Sequence, residues 1–153
     1  MKISIGSDHA GLELKEALGE FLRERGDEVV DRGTHSKNSV DYPDFAQAVA
    51  RDVAAGTADF GVLVCWTGAG VTIAANKISG VRAVNCFNAE TAELCRRHNN
   101  ANVLCFGERF IAPASAKAWL EIFLKTGFDG GRHARRVEKL ESGATRCGNA
   151  AEA

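Results

Sequence analysis

The sequence carries almost no net charge. Its 19 basic residues face 20 acidic ones, a formal charge of −1, so no global field draws the chain to nucleic acid or to an anionic membrane. Any selectivity for anions must be local. No apolar run approaches the roughly 18 residues of a membrane span, and the opening MKISIG reads as a strand rather than a signal peptide. The expectation is a cytoplasmic protein with neither nucleic acid nor membrane as partner. There is no Cys-x-x-Cys pair. The five cysteines, at 65, 86, 95, 105 and 147, are odd in number and fall mostly within expected strands and helices, the pattern of reduced thiols rather than of a disulfide scaffold. Internal repeats are absent too. The 153 residues, 45% hydrophobic and 25% charged, suffice for one domain that buries roughly two thirds or more of its unfolded surface.

What is present is a regular alternation of strand and helix. Ile3 to Gly6 reads as a strand, and Gly11 to Arg25 places Leu12, Leu14, Leu18, Phe21 and Leu22 on one helical face. Glu28 to Asp31 is a second strand. After a polar loop from Gly33 to Pro43, a helix runs from Asp44 to Ala55 with Pro43 or Asp44 at its start. The β-branched run Val62 to Val64 ends at Cys65 and breaks into Trp66-Thr67-Gly68-Ala69-Gly70. Thr67 is a candidate cap for a short helix, Val71 to Lys77, that Gly80 closes. Val81 to Asn85 is a strand, Asn88 caps a helix to about His98, Asn102 to Phe106 is the fifth strand, and Pro113 to Lys125 is an amphipathic helix. A last helix covers Arg132 to Leu140. The pattern predicts an α/β fold, a three-layer α/β/α sandwich with a five-stranded parallel sheet, Rossmann-like. Residues 1–141 form the single domain, including the C-terminal helix, and 142–153 a flexible tail.

Several nucleotide and phosphate motifs fail for want of the residues that carry their chemistry. The first loop has Gly6 and Gly11 at P-loop spacing, but Leu12-Glu13 stands where Lys-Ser/Thr is required. Asp31 follows at about the 20-residue distance of a ribose-binding acid, yet the Gly-x-Gly-x-x-Gly turn is missing. A cysteine-dependent phosphatase needs arginine where Val71 stands, and a phospho-accepting receiver needs aspartate where Cys65 stands.

What remains is a set of polar residues that the loops are expected to deliver to one edge of the sheet: Asp8 and His9, then Tyr42 and Asp44, then Cys65 and Thr67, and finally His98 and Asn99. Each alone has a structural explanation, as a satisfied imidazole, a small buried thiol or a helix cap. Together they suit acid and base chemistry. A thiol near a helix N-terminus has its pKa lowered, and an imidazole at a helix C-terminus is favoured as the cation. The glycine-rich loop after Cys65 offers backbone N–H groups to anionic oxygens. Arg132 and Arg136 are four apart and share a helical face, and guanidinium forks suit phosphate.

SDHAG at 7–11, DYPD at 41–44, Cys65-x-TGAG, AANK at 74–77, HNNANVLCFGER from His98 and GGRHARRVEKL from 130 together resemble type B ribose-5-phosphate isomerase. That family also includes the galactose-6-phosphate and allose-6-phosphate isomerases. The resemblance covers the chain from Lys2 to about Leu140. It implies a cofactor-free aldose–ketose isomerase with no metal, acting on ribose 5-phosphate and ribulose 5-phosphate through a cis-enediolate. A six-carbon phosphosugar substrate, or a non-catalytic phosphosugar-binding subunit, is the alternative.

By the same resemblance Cys65 is the base that moves a proton between C1 and C2, and the backbone of Trp66, Thr67, Gly68, Ala69 and Gly70 holds the enediolate. His98 is the ring-opening acid, helped by Thr67. Asp8, His9 and Asn99 hold sugar hydroxyls, with Tyr42 as a neighbour, and Arg109, Arg132 and Arg136 hold the phosphate. The resemblance also implies a homodimer, or a dimer of dimers, with each active site shared between subunits. The family usually has glycine where this chain has Trp66, and many relatives have aspartate where it has Asn100.

Overall fold

The computed structural model describes residues 1–147; the expected tail beyond them, 148–153, lies outside the described residues. Five parallel strands form one sheet. They are β1 (Lys2–Ser7), β2 (Glu28–Asp31), β3 (Phe60–Cys65), β4 (Ala83–Asn85) and β5 (Val103–Gly107), in the order β2-β1-β3-β5-β4. Among the described residues six α-helices alternate with them: α1 (Leu12–Glu24), α2 (Tyr42–Ala54), α3 (Ala69–Ala75), α4 (Ala89–Asn99), α5 (Pro113–Lys125) and α6 (Arg132–Cys147). No helix among the described residues is long and apolar enough to cross a membrane.

Alternation along the strands divides the core between two faces. Ile3, Ile5, Val62, Val64, Leu104 and Phe106 point into one cluster with the apolar residues of α1, α4 and α5. Leu63, Cys65, Val103 and Cys105 point into the other, with those of α2 and α3. Both faces are covered, which is why these strands read as continuous apolar runs rather than as alternating ones. The three-layer α/β/α arrangement expected from the sequence is therefore the observed one.

Two features of this topology place the site. The chain leaves β1 toward β2 and later returns to lay β3 on the other side of β1, so a crevice opens between the carboxyl ends of β1 and β3. Each helix that follows a strand starts at this carboxyl edge and runs back, so its own C-terminus lies at the amino edge of the sheet.

Local boundaries differ from expectation in instructive ways. Asp41, not Pro43 or Asp44, is the N-cap residue of α2, and Pro43 lies inside the first turn, where its missing N–H costs no helical bond. The last helix continues past Leu140 to Cys147, with Glu141 paired to Arg82, so the expected tail is helical from 142 to 147. Asp31, the acid at ribose-binding distance, is committed elsewhere. Its carboxylate takes the ammonium of Lys15 at 2.9 and 2.7 Å, and the same ammonium donates to the carbonyl of Thr34 at 2.9 Å. Lys15 is 1% exposed, so this pair satisfies a buried cation rather than serving a ligand.

Candidate active site

The carboxyl edge gathers most of the residues singled out in the sequence. Cys65 ends β3 and is buried, 4% exposed, with its side chain on the α2–α3 face. The chain turns sharply behind it, and the N–H of Gly68 donates to Cys65 Sγ at 3.2 Å. Gly68 has φ +80, a left-handed conformation that glycine adopts freely. A Cβ there would also lie 2.3 Å from Asn85 Oδ1. Gly68 thus occupies the cap position of α3, and the expected cap, Thr67, makes only a 3.4 Å contact from its Oγ1 to the N–H of Ala69. Thr67 stays exposed at the lip of the loop, and a Thr hydroxyl free of capping duty is available to a ligand.

The first loop abuts this turn. Asp8 N–H donates to the carbonyl of Val64 at 3.3 Å. Asp8 Oδ1 accepts from the N–H groups of Ala10 and Gly11, both at 3.0 Å, capping a single 3-10 turn. His9 Nδ1 accepts from the N–H of Val40 at 3.2 Å, which puts the proton of the neutral ring on Nε2. Tyr42, at the start of α2, lies so close over Gly70 that a Cβ on that glycine would be 2.8 Å from its ring. Asp8, His9, Tyr42, Cys65 and the 66–70 backbone therefore form one cluster. Arg109 joins it, its guanidinium 5.2 Å from the Trp66 ring centroid.

His98 and Asn99 do not join it. They end α4, which begins at the carboxyl edge with Asn88 as its side-chain cap and runs down to the amino edge. There Asn102 accepts the N–H of Gly61, near the start of β3. The expectation that these loops all feed one edge is corrected by the helix direction: a strand's carboxyl end and the far end of a helix lie on opposite sides of the sheet. The two sides are separated by about the length of β3, six residues or roughly 16 Å.

Arg132 and Arg136 lie with His98. Asp129 N–H donates to the carbonyl of Arg97 at 3.0 Å, and the Asp129 carboxylate takes the Arg97 guanidinium, which docks the start of α6 on the end of α4. The His98 and His133 rings stack, with centroids 4.3 Å apart and planes inclined by 4°. Burial pushes the His133 imidazole below its usual range, helped by His98, Arg132 and Arg136. Arg132 and Arg136 are exposed and have no ion-pair partner among the described residues. This second cluster is a cationic surface open to an anion.

Sequence reasoning missed Asn85 and Glu108. The Nδ2 of Asn85 donates to the Thr67 carbonyl at 3.2 Å, bracing the turn behind Cys65. Glu108 accepts the N–H of Leu14 at 3.0 Å, capping α1, and burial raises its carboxyl above the ordinary range. Their positions at the carboxyl ends of β4 and β5 were the available signal. Among the described residues, the buried side-chain polar atoms without a hydrogen-bond partner are Ser7 Oγ and Asn85 Oδ1. Both sit at this edge, where a ligand can satisfy them.

The remaining described thiols are unsuited to chemistry. Burial pushes Cys86 and Cys105 up to about 12 and Cys95 to about 11, so they stay protonated at neutral pH. Among the described residues one group could hold a metal: ligand atoms of His98, Asp129 and His133 lie within 4.8 Å of one another. Its imidazoles are stacked in parallel rather than converging, and Arg97 already occupies the carboxylate.

The ribose/galactose isomerase family matches residues 3–140 of the chain. Ribose-5-phosphate isomerase B of Escherichia coli K12 is 47% identical over 139 residues, which cover 91% of this chain and 93% of that protein. Among solved structures, ribose-5-phosphate isomerase B of Clostridium thermocellum superposes with a TM-score of 0.95 at 48% identity, covering 96% of this chain and 99% of that one. The Mycoplasma genitalium enzyme with bound ribulose-5-phosphate gives 0.90 at 43% identity, covering 94% and 96%.

Proposed function

Because the chain belongs to the ribose/galactose isomerase family, we propose that it interconverts ribose 5-phosphate and ribulose 5-phosphate through a cis-enediolate, with Cys65 as base and His98 as ring-opening acid. The observation that carries this reading is the turn behind Cys65. A sulfur buried at the end of β3 accepts the N–H of Gly68 from the loop that opens α3.

The chemistry follows from that arrangement. An α-proton of a carbonyl compound leaves only if the developing oxyanion meets preoriented donors. The thiolate takes the proton from C2 of the open-chain aldose, and the electron pair moves into the C1–C2 bond. Negative charge then builds on the sugar oxygens, which the backbone of residues 66–70 stabilises. Return of the proton to C1, with transfer of the hydroxyl proton between O1 and O2, yields the ketose. Asp8, His9, Tyr42 and Asn99 hold sugar hydroxyls, and Arg109, Arg132 and Arg136 hold the phosphate. Side chains and backbone N–H groups supply each step, so the scheme calls for neither metal nor cofactor.

The acid reaches the ring only across a subunit boundary. In a furanose the ring oxygen and C2 are two bonds apart, whereas Cys65 and His98 of one chain stand a sheet's height apart. The reading therefore requires two copies, each lending His98, Asn99, Arg132 and Arg136 to the other's cysteine loop. The test is Cys65→Ala, assayed for isomerisation and for phosphosugar affinity together. Turnover should fall by roughly 10²- to 10⁴-fold or more while affinity is nearly kept. A variant retaining more than half of wild-type turnover removes Cys65 from the mechanism.

A further inference from the structure

Arg109, at the carboxyl edge, has no ion-pair partner among the described residues. None of its guanidinium N–H groups meets an acceptor among the described residues, and its sequence neighbour Glu108 is turned away onto the N–H of Leu14. The guanidinium instead lies over the indole of Trp66, 5.2 Å from the ring centroid. The two residues are locked together through the backbone as well. Arg109 N–H donates to the Trp66 carbonyl at 3.1 Å and Glu108 N–H to the Cys65 carbonyl at 3.0 Å, so the loops after β3 and β5 form one piece. Trp66 is 47% exposed, which is far from the burial of a core aromatic.

A cation held against an aromatic ring by attraction to its face keeps in-plane N–H donors for another partner. An arginine alone on an exposed loop samples many rotamers and must be ordered when a ligand arrives, which weakens binding; a shelf that orders it beforehand removes part of that cost. We propose that Trp66 is a positioning residue, whose indole holds the Arg109 guanidinium beside the Cys65 loop to receive the phosphate of the sugar. The proposal rests on the phosphosugar reading above. The Trp66 indole touches no reacting atom in it and acts through Arg109.

The test is a double-mutant cycle of Trp66→Leu, Arg109→Met and the pair, with Trp66→Phe as the conservative variant. Affinity for inorganic phosphate is read by calorimetry on the assembled protein, with association state matched by sedimentation, and KM and kcat are read on ribose 5-phosphate. Trp66→Leu should weaken phosphate binding roughly 3- to 10-fold, with the loss falling on KM more than on kcat, and Trp66→Phe should recover most of it. In the Arg109→Met background the same change should shift affinity less than about 2-fold. Equal losses with and without Arg109, or an unchanged phosphate affinity accompanied by weaker self-association, would overturn the proposal. Because phosphate affinity is measured without turnover, a coupled cycle in a protein that isomerises no phosphosugar would sink the isomerase reading and leave the clamp standing.

Discussion

Mixing two inactive variants should restore activity. Cys65→Ala removes the proposed base at the carboxyl edge, and His98→Asn the proposed acid at the amino edge; alone, each should fall to about 1% of wild-type turnover on ribose 5-phosphate or below. In a mixed dimer one site carries both lesions. The other combines the Cys65 of the His98→Asn chain with the His98 of the Cys65→Ala chain, and is whole. Random pairing of equal amounts makes half of the dimers mixed and so leaves about a quarter of all sites intact. Co-refolded material should therefore show about 25% of wild-type specific activity, and mixed dimers isolated through two affinity tags about 50%, at least 25-fold above either parent. The arithmetic rests on the proposed sharing of sites, which the geometry motivates: the two side chains stand on opposite edges of a sheet whose central strand, β3, is six residues long, roughly 16 Å. Mixed dimers verified by native mass spectrometry that stay at about 1% would mean each chain completes its own site.

Three further outcomes follow from named contacts. His98→Asn should slow ribose 5-phosphate at least 10-fold more than a four-carbon aldose phosphate, whose terminal oxygen is esterified and cannot close a ring; equal losses would deny it the ring-opening role. Gly68→Ala forces a Cβ to within 2.3 Å of Asn85 Oδ1 at a φ of +80, which should cost about 1–3 kcal/mol in thermal unfolding along with turnover. Adding Asn85→Ala should relieve the clash part but not the φ part, and an unchanged Tm in Gly68→Ala would show the turn can be remade. Finally, the Arg32 fork on Asp52, at 2.7 and 2.6 Å, holds that carboxyl below the ordinary range. A depressed carboxylate contributes fully above its unfolded value near 4 and loses its contribution as pH falls through the folded value. The Tm gap between wild type and Arg32→Ala should accordingly shrink between about pH 6 and pH 3, and a constant gap would show that the pair contributes through packing alone.

Much of the fold was legible because its signals are local. Pro113 and Lys125 mark the observed ends of α5, Glu28 and Asp31 those of β2, and Asn88 caps α4 as its side chain suggests. The placement of β5 between β3 and β4 was not legible, since strand order depends on contacts between segments distant in sequence. At the cysteine loop, residue type misled: threonine is the commoner cap, yet the tight turn needed a left-handed residue, and only Gly68 could supply it beside Asn85. The error over His98 was of another kind. Its position at a helix end was read correctly, but in a parallel α/β sheet the direction of that helix puts its end on the side away from Cys65. Asn85 and Glu108 escaped notice because an isolated amide or acid at a strand end carries no spacing signature.

The separation of the two clusters also constrains how copies can be arranged. If upper and lower edges are to meet twice in one closed pair, the second chain must be turned so that its strands run opposite to the first. A twofold axis parallel to the strands leaves both carboxyl edges on the same side and joins nothing. The axis must instead lie across them, so that the amino edge of each sheet stands beside the carboxyl edge of the other. Simple stacking of one edge on the next would also bring Cys65 near a neighbouring His98, but as an open filament with an unused half-site at each end, so the antiparallel pair is the smallest assembly in which none is wasted.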